Sequence, residues 1–280
     1  MKVRLTPWFA TLRPLGRPAL RGVLGATVLG LVLAIGLLAP LLGHPVGADV
    51  DPSRAGLGVG HGLGLGFDHL GRDVLARLAL GARAFVLPGL LAGAVAAAVG
   101  VPSGLLRAAT PGRLAELVSL PLRALAAVPA LVLVVLVLSV LGNSWTHLGL
   151  ATGLALAPRL HHAVHQRLAP LQNDAYVSTM RAHGVPELEL WLGHLLLGAA
   201  GPAVIRAALR GLATVLVLEC TLSYLGGFGV QEPWPSWGNM LVFEWGRGWG
   251  AGVWAPVAAL LTTLWSCLAA AALVEDPEHG

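Results

Sequence analysis

The stretch AFVLPGLLAGAVAAAVGVPSGLL, residues 84–106, runs for 23 positions without a charged residue. A helix needs roughly 20 apolar residues to cross a hydrocarbon core about 30 Å thick. Backbone groups in lipid must find their hydrogen bonds within the segment, and a helix provides them. The stretch therefore predicts a transmembrane helix and a membrane protein.

The rest of the chain has the same character. Hydrophobic residues make up 56% of the 280 positions and charged residues 11%, with a mean hydropathy of +0.75. A soluble domain carries charge on about a quarter of its residues. We therefore predict an all-α membrane protein with about six transmembrane helices. The other five stretches are 22–43, 124–142, 144–160, 203–225 and 251–274.

Arginine and lysine are unevenly distributed among the connecting segments. With a cytoplasmic N-terminus, the cytoplasmic segments hold eleven basic residues and the external segments five. Basic residues are enriched in cytoplasmic loops, so both termini are predicted to be cytoplasmic. The external segment 44–83 nevertheless contains four of the five external arginines. The first block is longer than the apolar part of a signal peptide, about 7–15 residues, and is predicted to be an uncleaved anchor.

Several function classes conflict with the residues present. The only lysine is Lys2, so the chain has no P-loop of the form GxxxxGK followed by Ser or Thr. Basic residues are not interleaved with aromatics as on a nucleic-acid surface, and no nucleic acid is expected as a partner. Cys220 and Cys267 are predicted to be apolar fillers within spans. No cofactor is therefore expected on this chain.

Two classes of membrane protein have to be compared with the residues, an intramembrane metal-dependent enzyme and a secondary transporter subunit. An enzyme needs a positioned nucleophile and base, and Ser119, Ser139 and Ser223 lack a convincing base on a neighbouring span. A secondary transporter usually shows two similar halves, and no internal similarity is visible. We expect no catalytic residue in this chain.

Three motifs lie wholly or partly outside the apolar stretches. The first is LGRDVLAR at residues 70–77, followed by GAR at 81–83. It precedes the second span and begins a short amphipathic helix, with Asp73 in its first turn.

The second motif is DAYVSTMRAHGVP, residues 174–186. Asp174 is a good N-cap residue, and Gly184 stands where a left-handed residue would end a helix. Pro186 fits the first turn of a following helix, with Glu187 and Glu189 favoured near its N-terminus. The motif predicts two cytoplasmic helices joined by a glycine turn.

The third motif is the longest: ECTLSYLG at residues 219–226 and GVQEPWPSWGNML at 229–241. Pro233 and Pro235 restrict the backbone of this external segment, and Trp234 and Trp237 supply flat amphipathic surfaces. The segment is expected to be a rigid outer loop.

Together the three motifs resemble the permease family of the ATP-binding-cassette (ABC) importers for dipeptides, oligopeptides and nickel. The resemblance implies a type I importer permease in the bacterial inner membrane, with residues 1–66 preceding a five-helix core at 67–280. It implies a coupling loop near 174–194 that docks on an ATPase subunit, with these residues: Asp174, Tyr176, Val177, Arg181, Ala182, Gly184, Val185 and Pro186. It implies an external loop or pathway at Glu219, Ser223, Pro233, Pro235 and Trp237.

The resemblance also implies partners. These are a second homologous permease, two ATPase subunits that bind ATP and Mg²⁺, and a periplasmic or lipid-anchored binding protein that selects the substrate. Short peptides, nickel and related small solutes all remain open as substrates.

The chain also departs from the family pattern. The usual Ala-Ala of the coupling loop is Thr179-Met180, an Asp early in the third span is Arg123, and of the C-terminal tail only Asp276-Pro277 is kept. These departures mark a divergent member, and they bear more on coupling and substrate than on fold.

A few polar residues keep more than one interpretation. Glu219 lies inside the fifth span, where a carboxylate is a functional candidate. Arg206 and Arg210 either snorkel to the interface or face the second permease. His161, His162 and His165 share a helix face but lack an accompanying carboxylate, so a basic cytoplasmic flank is favoured over a metal site.

Overall fold

The computed structural model describes residues 17–38, 41, 50–110, 112–245 and 250–274. Within these ranges the regular structure is helical, with one isolated bridge between Phe67 and Asp73. The all-α prediction is therefore confirmed. The basic N-terminal residues Lys2, Arg4 and Arg13, together with Arg247 and the Asp276-Pro277 pair, lie outside the described residues.

The α-helices are numbered in chain order, and a π-helix, Leu190–Ala200, lies between α8 and α9. Their bounds are α1 Arg17–Leu38, α2 Val74–Gly81, α3 Arg83–Ala109, α4 Arg113–Ala126, α5 Ala130–Leu141, α6 Trp145–Leu168, α7 Ala175–Ala182, α8 Glu187–Glu189, α9 Gly201–Leu225, α10 Trp237–Glu244 and α11 Ala251–Leu273.

Helices α3 and α6 pack backbone against backbone. A Cβ atom added at Gly100 would lie 2.7 Å from the carbonyl oxygen of Ala157, and one at Gly104 would lie 2.7 Å from that of His161. On the other side, a Cβ at Gly153 would lie 2.9 Å from the Ala92 carbonyl oxygen. Small residues permit such close approach between membrane helices. The residue numbers of the contacting positions increase in the same direction along both helices, so α3 and α6 run parallel.

The parallel direction of α3 and α6 requires the segment between them to return the chain to its starting side. That segment consists of α4 and α5, which meet at an angle of 87°. The single helix expected at 124–142 is therefore wrong. The helix breaks at residues 127–129, because Pro129 stands just before α5 and cannot donate a backbone hydrogen bond to α4.

Helices α1 and α11 run antiparallel along the side of the bundle. A Cβ at Gly22 would lie 2.6 Å from Cβ of Leu273, and one at Gly25 would lie 2.6 Å from Cβ of Ala269. The start of α1 therefore lies beside the end of α11. Cys220 and Cys267 are free and buried in apolar clusters, as predicted.

By length and composition, three helical segments of the described chain can cross a membrane, or four if the bent α4–α5 pair counts as one span. The three are Ala19–Leu38, Val74–Ala109 and Gly252–Leu273. Helices α6 and α9, at 24 and 25 residues, are also long enough at about 1.5 Å per residue. They carry arginines, and α9 carries Glu219 as well. The count of six spans stays a prediction.

Candidate functional site

The second sequence motif folds as a helical hairpin, which we define as residues 174–194. Helix α7 begins after Asp174, whose carboxylate accepts a hydrogen bond from the backbone N–H of Tyr176 at 2.7 Å. This is the N-cap predicted from the sequence. Helix α8 and the first residues of the π-helix form the second arm, with Pro186 just before it.

Gly184 ends the first arm in the predicted left-handed conformation, with φ of +79°. The N–H of Gly184 donates to the carbonyl of Arg181 at 3.0 Å, and the N–H of Val185 donates to that of Met180 at 3.2 Å. These two bonds form a Schellman motif, and Val185 and Met180 pack on the same apolar cluster, as such motifs favour. An added Cβ at Gly184 would meet no neighbour within 4 Å. Only the backbone conformation therefore demands glycine here.

An ion pair braces the two arms of the hairpin. Arg181 Nε donates to Glu187 Oε1 at 2.6 Å and Nη2 to Oε2 at 3.3 Å, while the Trp191 indole N–H donates to Oε2 at 3.0 Å. The hydrogen bonds from Arg181 are the main cause of the lowered pKa of Glu187. The brace and the glycine turn together fix the angle between the arms.

One face of the hairpin is anchored in the bundle and the other is open. Val177 and Leu190 are buried in a cluster with Val164 and Leu168 of α6. On the open face Tyr176 is 51% exposed and Leu188 is 72% exposed. Of the predicted coupling residues, Val177 is therefore an anchor and Tyr176 is presented at the surface.

The first and third motifs meet at the opposite end of the bundle, in a region that we call the outer lobe (residues 50–81 and 226–244). Arg72 Nε donates to Asp68 Oδ2 at 2.6 Å and its Nη1 to Glu232 Oε2 at 2.8 Å. Arg77 Nη2 donates to Glu232 Oε1 at 2.7 Å. Both arginines are buried, so two carboxylates neutralise two buried guanidinium groups. Sequence reasoning misses this pairing, because Arg72 and Glu232 lie 160 residues apart.

Trp237 fastens the outer lobe to the spans. Its indole N–H donates to the carbonyl of Leu78 at 2.9 Å, and its ring lies 5.1 Å from that of Phe85 between centroids. Ser236 and Asn239 form a capping box at the start of α10. The Asn239 amide also donates to the carbonyls of Val230 and Trp234, at 3.1 and 2.8 Å. Hydrogen bonds from Asn239 thus hold the loop that contains Pro233 and Pro235.

Glu219 and Ser223 lie where α9 enters this loop. The Ser223 hydroxyl donates to Glu219 Oε1 at 2.5 Å and accepts the backbone N–H of Val230 at 2.9 Å. Both side chains are buried. The Glu219 and Ser223 pair therefore joins the span to the outer loop, and a pathway role for these two residues stays a prediction.

The histidine cluster differs from its prediction. His161 is buried, and its ring Nδ1 lies 3.0 Å from the hydroxyl of Ser103 on α3. A basic flank is therefore wrong for His161, since a buried charge without a partner is strongly unfavourable. Within the described residues, the group that could hold a metal is instead Asp68, His69 and Glu244, in the outer lobe. Arg72 already binds Asp68, so a cation would be repelled there.

Known proteins resemble this chain in sequence and in fold, although no family model matches it. Over 237 residues it is 26% identical to the dipeptide transport system permease protein DppC of Alkalihalophilus pseudofirmus, covering 85% of this chain and 77% of the relative. It is 31% identical over 177 residues to the di/tripeptide transport system permease protein DppC of Pseudomonas aeruginosa, covering 63% and 58%.

A third relative is the glutathione transport system permease protein GsiD of Pectobacterium atrosepticum, 27% identical over 238 residues, with 84% and 78% covered. A solved chain of the MetNI methionine ABC transporter, in an inward-facing conformation, matches with a TM-score of 0.55 and 18% identity, covering 71% of this chain and 93% of that one. The solved chain shows the fold. The sequence relatives are transport permeases and not enzymes. The chain is a multi-pass inner-membrane protein that is similar in sequence to dipeptide and glutathione transport permeases and similar in fold to a chain of an ABC transporter.

Proposed function

We propose that the hairpin 174–194 is the surface on which an ATPase subunit docks. A permease of an ABC importer works with ATPase subunits and a substrate-binding protein. In the assembly that we propose, this chain pairs with a second homologous permease and forms half of the translocation pathway. Two ATPase subunits bind ATP and Mg²⁺ beneath the pair, and closure of the ATPases is transmitted through the hairpins.

The single observation that carries this proposal is the combination of a fixed hairpin with an apolar open face. The Schellman turn at Gly184 and the Arg181–Glu187 ion pair hold the two arms together. In the proposed mechanism, a displacement of the hairpin by the ATPase is therefore transmitted to the helix bundle. Tyr176 and Leu188 offer exposed apolar surface on the open face of the hairpin. The buried Val177 and Leu190 connect it to α6, which packs on α3.

The proposed orientation places the hairpin and both termini in the cytoplasm and the outer lobe outside. The distribution of basic residues supports it. Three of the four arginines in the external segment have carboxylate partners: Arg72 and Arg77 in the outer lobe, and Arg54, which pairs with Asp51 at 2.8 Å. The outer lobe, with Pro233 and Pro235 at its surface loop, is the region that we assign to the periplasmic or lipid-anchored binding protein.

The proposed substrates are short peptides. The relatives named above carry dipeptide, di/tripeptide and glutathione transport in their names. This supports peptides ahead of the nickel complexes that the family resemblance also allows. The rigid outer lobe and the docking hairpin are compatible with either substrate, because the binding protein selects it.

A cross-linking experiment tests the docking surface. Leu188→Cys places a thiol at the hairpin tip, and Leu197→Cys places one on the π-helix at nearly equal exposure, 72% against 73%. Cys220 and Cys267 are buried and do not compete. In the assembled complex, a short bifunctional thiol reagent should join residue 188, but not 197, to the ATPase. Equal cross-linking at both positions, or none at 188, would place the docking surface elsewhere.

A further inference from the structure

A cavity of about 680 Å³, which we call the outer cavity, lies where the outer lobe meets the helix bundle. The end of α2 and the first turns of α3 form one wall, and the start of α6 forms another. The loop 229–235 of the outer lobe forms the third wall. Ligand pockets in proteins usually measure about 300–1,000 Å³. The outer cavity is therefore large enough for a small solute.

Most of the wall of the outer cavity is apolar. Leu80, Ala84 and Leu148 line it and are buried in the protein. Trp145 and Trp234 also line it, and their side chains are 50% and 60% exposed. An indole ring offers a large, flat apolar surface together with one N–H donor. A solute that fits this wall therefore has an apolar part.

Two charged residues line the outer cavity, Arg83 and Glu232. The carboxylate oxygens of Glu232 already accept hydrogen bonds from Arg72 and Arg77, at 2.8 and 2.7 Å. Arg83 is exposed, and in the part of the chain that the structure describes it has no carboxylate partner, whereas Arg72 and Arg77 do. The charge that the outer cavity offers to a ligand is therefore the guanidinium group of Arg83.

Two side-chain amides add polar groups to the wall. Asn143 Nδ2 donates to the carbonyl of Gly229 at 2.7 Å, and Gln231 Nε2 donates to the carbonyl of Phe228 at 2.8 Å. These bonds hold the two amides in place. An amide group can both donate and accept hydrogen bonds, as a peptide bond does. The wall is thus suited to a solute that contains a peptide bond.

One side of α6 leads from the outer cavity to a second cavity, of about 520 Å³, between α3, α6 and α9. Trp145 and Leu148 line the outer cavity, and Leu156 and Ala163 line the second one. These four positions recur at helical spacing and share one side of α6. A solute that leaves the outer cavity along this side reaches the second cavity. The arrangement favours a passing solute over a lipid head group as the occupant.

We infer that the outer cavity binds the transported solute by its carboxylate, with Arg83 as the specificity-determining residue. A guanidinium group is planar and offers paired N–H donors that match the two oxygens of a carboxylate. The inference rests on the proposed function as a peptide permease and makes the substrate class more specific. The solute is a short peptide with a free C-terminal carboxylate, and its apolar side chain packs against Trp145 and Trp234. A phospholipid phosphate offers similar chemistry, and the experiment distinguishes the two sources.

The test begins with the local charge, in the assembled complex at low salt. Leu87→Cys places a thiol in the outer cavity, one helical turn from Arg83. Its rates with the anionic sulfonatoethyl and the cationic trimethylammonioethyl methanethiosulfonate are each divided by the rate of a free thiol. We expect the anionic reagent to be favoured by about fivefold or more. Cys220 and Cys267 are buried and do not compete.

Variants at position 83 show whether Arg83 causes this preference. Arg83→Gln should remove most of it, and Arg83→Lys, which keeps the charge, should retain it. Arg54→Gln is the matched control, because Arg54 lies elsewhere in the outer lobe and has Asp51 as its partner. It should leave the preference for the anionic reagent unchanged.

Protection of the same thiol identifies the ligand. Dileucine should slow the reaction of the thiol introduced by Leu87→Cys, whereas dileucine amide, which lacks the carboxylate, should not. Arg83→Gln should abolish the difference between the two compounds. Trp145→Ala should weaken the protection by dileucine and leave the reagent preference unchanged, because the indole carries no charge.

Four outcomes would overturn the inference. The first is a reagent preference that is absent or does not follow the charge at position 83. The second is equal protection by dileucine and its amide, or by neither. The third is protection that depends on phosphatidylglycerol in the lipid and not on dileucine, which would identify a lipid phosphate as the occupant. The fourth is a thiol that reacts with neither reagent, which would show that another subunit fills the outer cavity.

The reagent rates and the protection are measured whether or not the complex transports. Failure of cross-linking at residue 188 would count against the docking proposal alone. Failure of protection by dileucine, with normal cross-linking at residue 188, would count against the outer cavity alone.

Discussion

The hairpin and the outer lobe are both rigid, but they achieve rigidity in opposite ways. The hairpin is held by contacts between near neighbours, such as Arg181 with Glu187, and much of it is exposed. The outer lobe is held by buried bonds that join distant parts of the chain, such as Arg72 with Glu232 across 160 residues. The hairpin is therefore a local unit that can be altered without unfolding the protein. The outer lobe is part of the folding core, and substitutions that break its buried bonds should also destabilise the packing of the spans.

The largest effect should come from Glu232→Gln. It would leave Arg72 and Arg77 buried with one carboxylate between them, and removal of one partner from a buried ion pair costs about 3–5 kcal/mol. We expect lower abundance in the membrane and a lower melting temperature of the purified complex.

The control for Glu232→Gln is Glu189→Gln, at an exposed position of the hairpin. It should leave abundance and melting temperature unchanged. If both variants were equally stable, the outer-lobe ion network would be no part of the folding core and the contrast between the regions would fail.

A smaller effect is expected from Trp237→Phe. The ring still packs on Phe85, but the carbonyl of Leu78 loses its donor in a buried setting, which costs about 1–3 kcal/mol. Thermal unfolding of the complex measures the loss. Trp234→Phe, at a position 60% exposed, should be close to wild type. Equal melting temperatures for the two variants would show that the indole N–H bond is unimportant.

Gly184→Val should alter the hairpin and spare the fold. A β-branched residue with positive φ is strained by about 1 kcal/mol or more, and Gly184→Ala should be milder. The variant should accumulate normally, while uptake and substrate-stimulated ATP hydrolysis fall together. Gly198→Ala, which also meets open space but has no positive φ, is the control. Normal uptake by Gly184→Val at equal abundance would contradict the coupling role.

The smallest effect concerns pH and the hairpin brace. The pKa of Glu187 is lowered, chiefly by its hydrogen bonds from Arg181, so the brace is fully present above the ordinary carboxyl pKa, about 4.3. It is lost as the pH falls through the lowered value. Below about pH 4, hydrogen exchange of the hairpin amides should therefore become faster in the wild-type protein than in the Glu187→Gln variant at the same pH. The reason is that the glutamine side chain of the variant does not titrate. Identical pH profiles for the two proteins would show that the pair contributes nothing.

The hairpin can be predicted from sequence because its determinants are local. Asp174 and Gly184 are recognisable by residue type and spacing, and both adopt the expected cap geometry. The ion pairs of the outer lobe cannot be predicted, because no residue near Arg72 or Arg77 in the sequence indicates that Glu232 is their partner. The bend before α5 escapes prediction for a related reason. A hydropathy average covers the apolar residues on both sides of Pro129 and contains no information on the angle between the two helices.

The parallel seam between α3 and α6 has a consequence for how the protein is made. Two parallel helices cannot pair as a hairpin while the chain emerges, since α4 and α5 must first be laid down between them. The face of α3 that carries Gly100 and Gly104 is therefore finished well before its partner exists. During synthesis that face meets lipid or the insertion machinery, and the backbone contact with α6 forms only after α6 is complete. The topology of this protein thus orders its assembly, and the contact between α3 and α6 forms late.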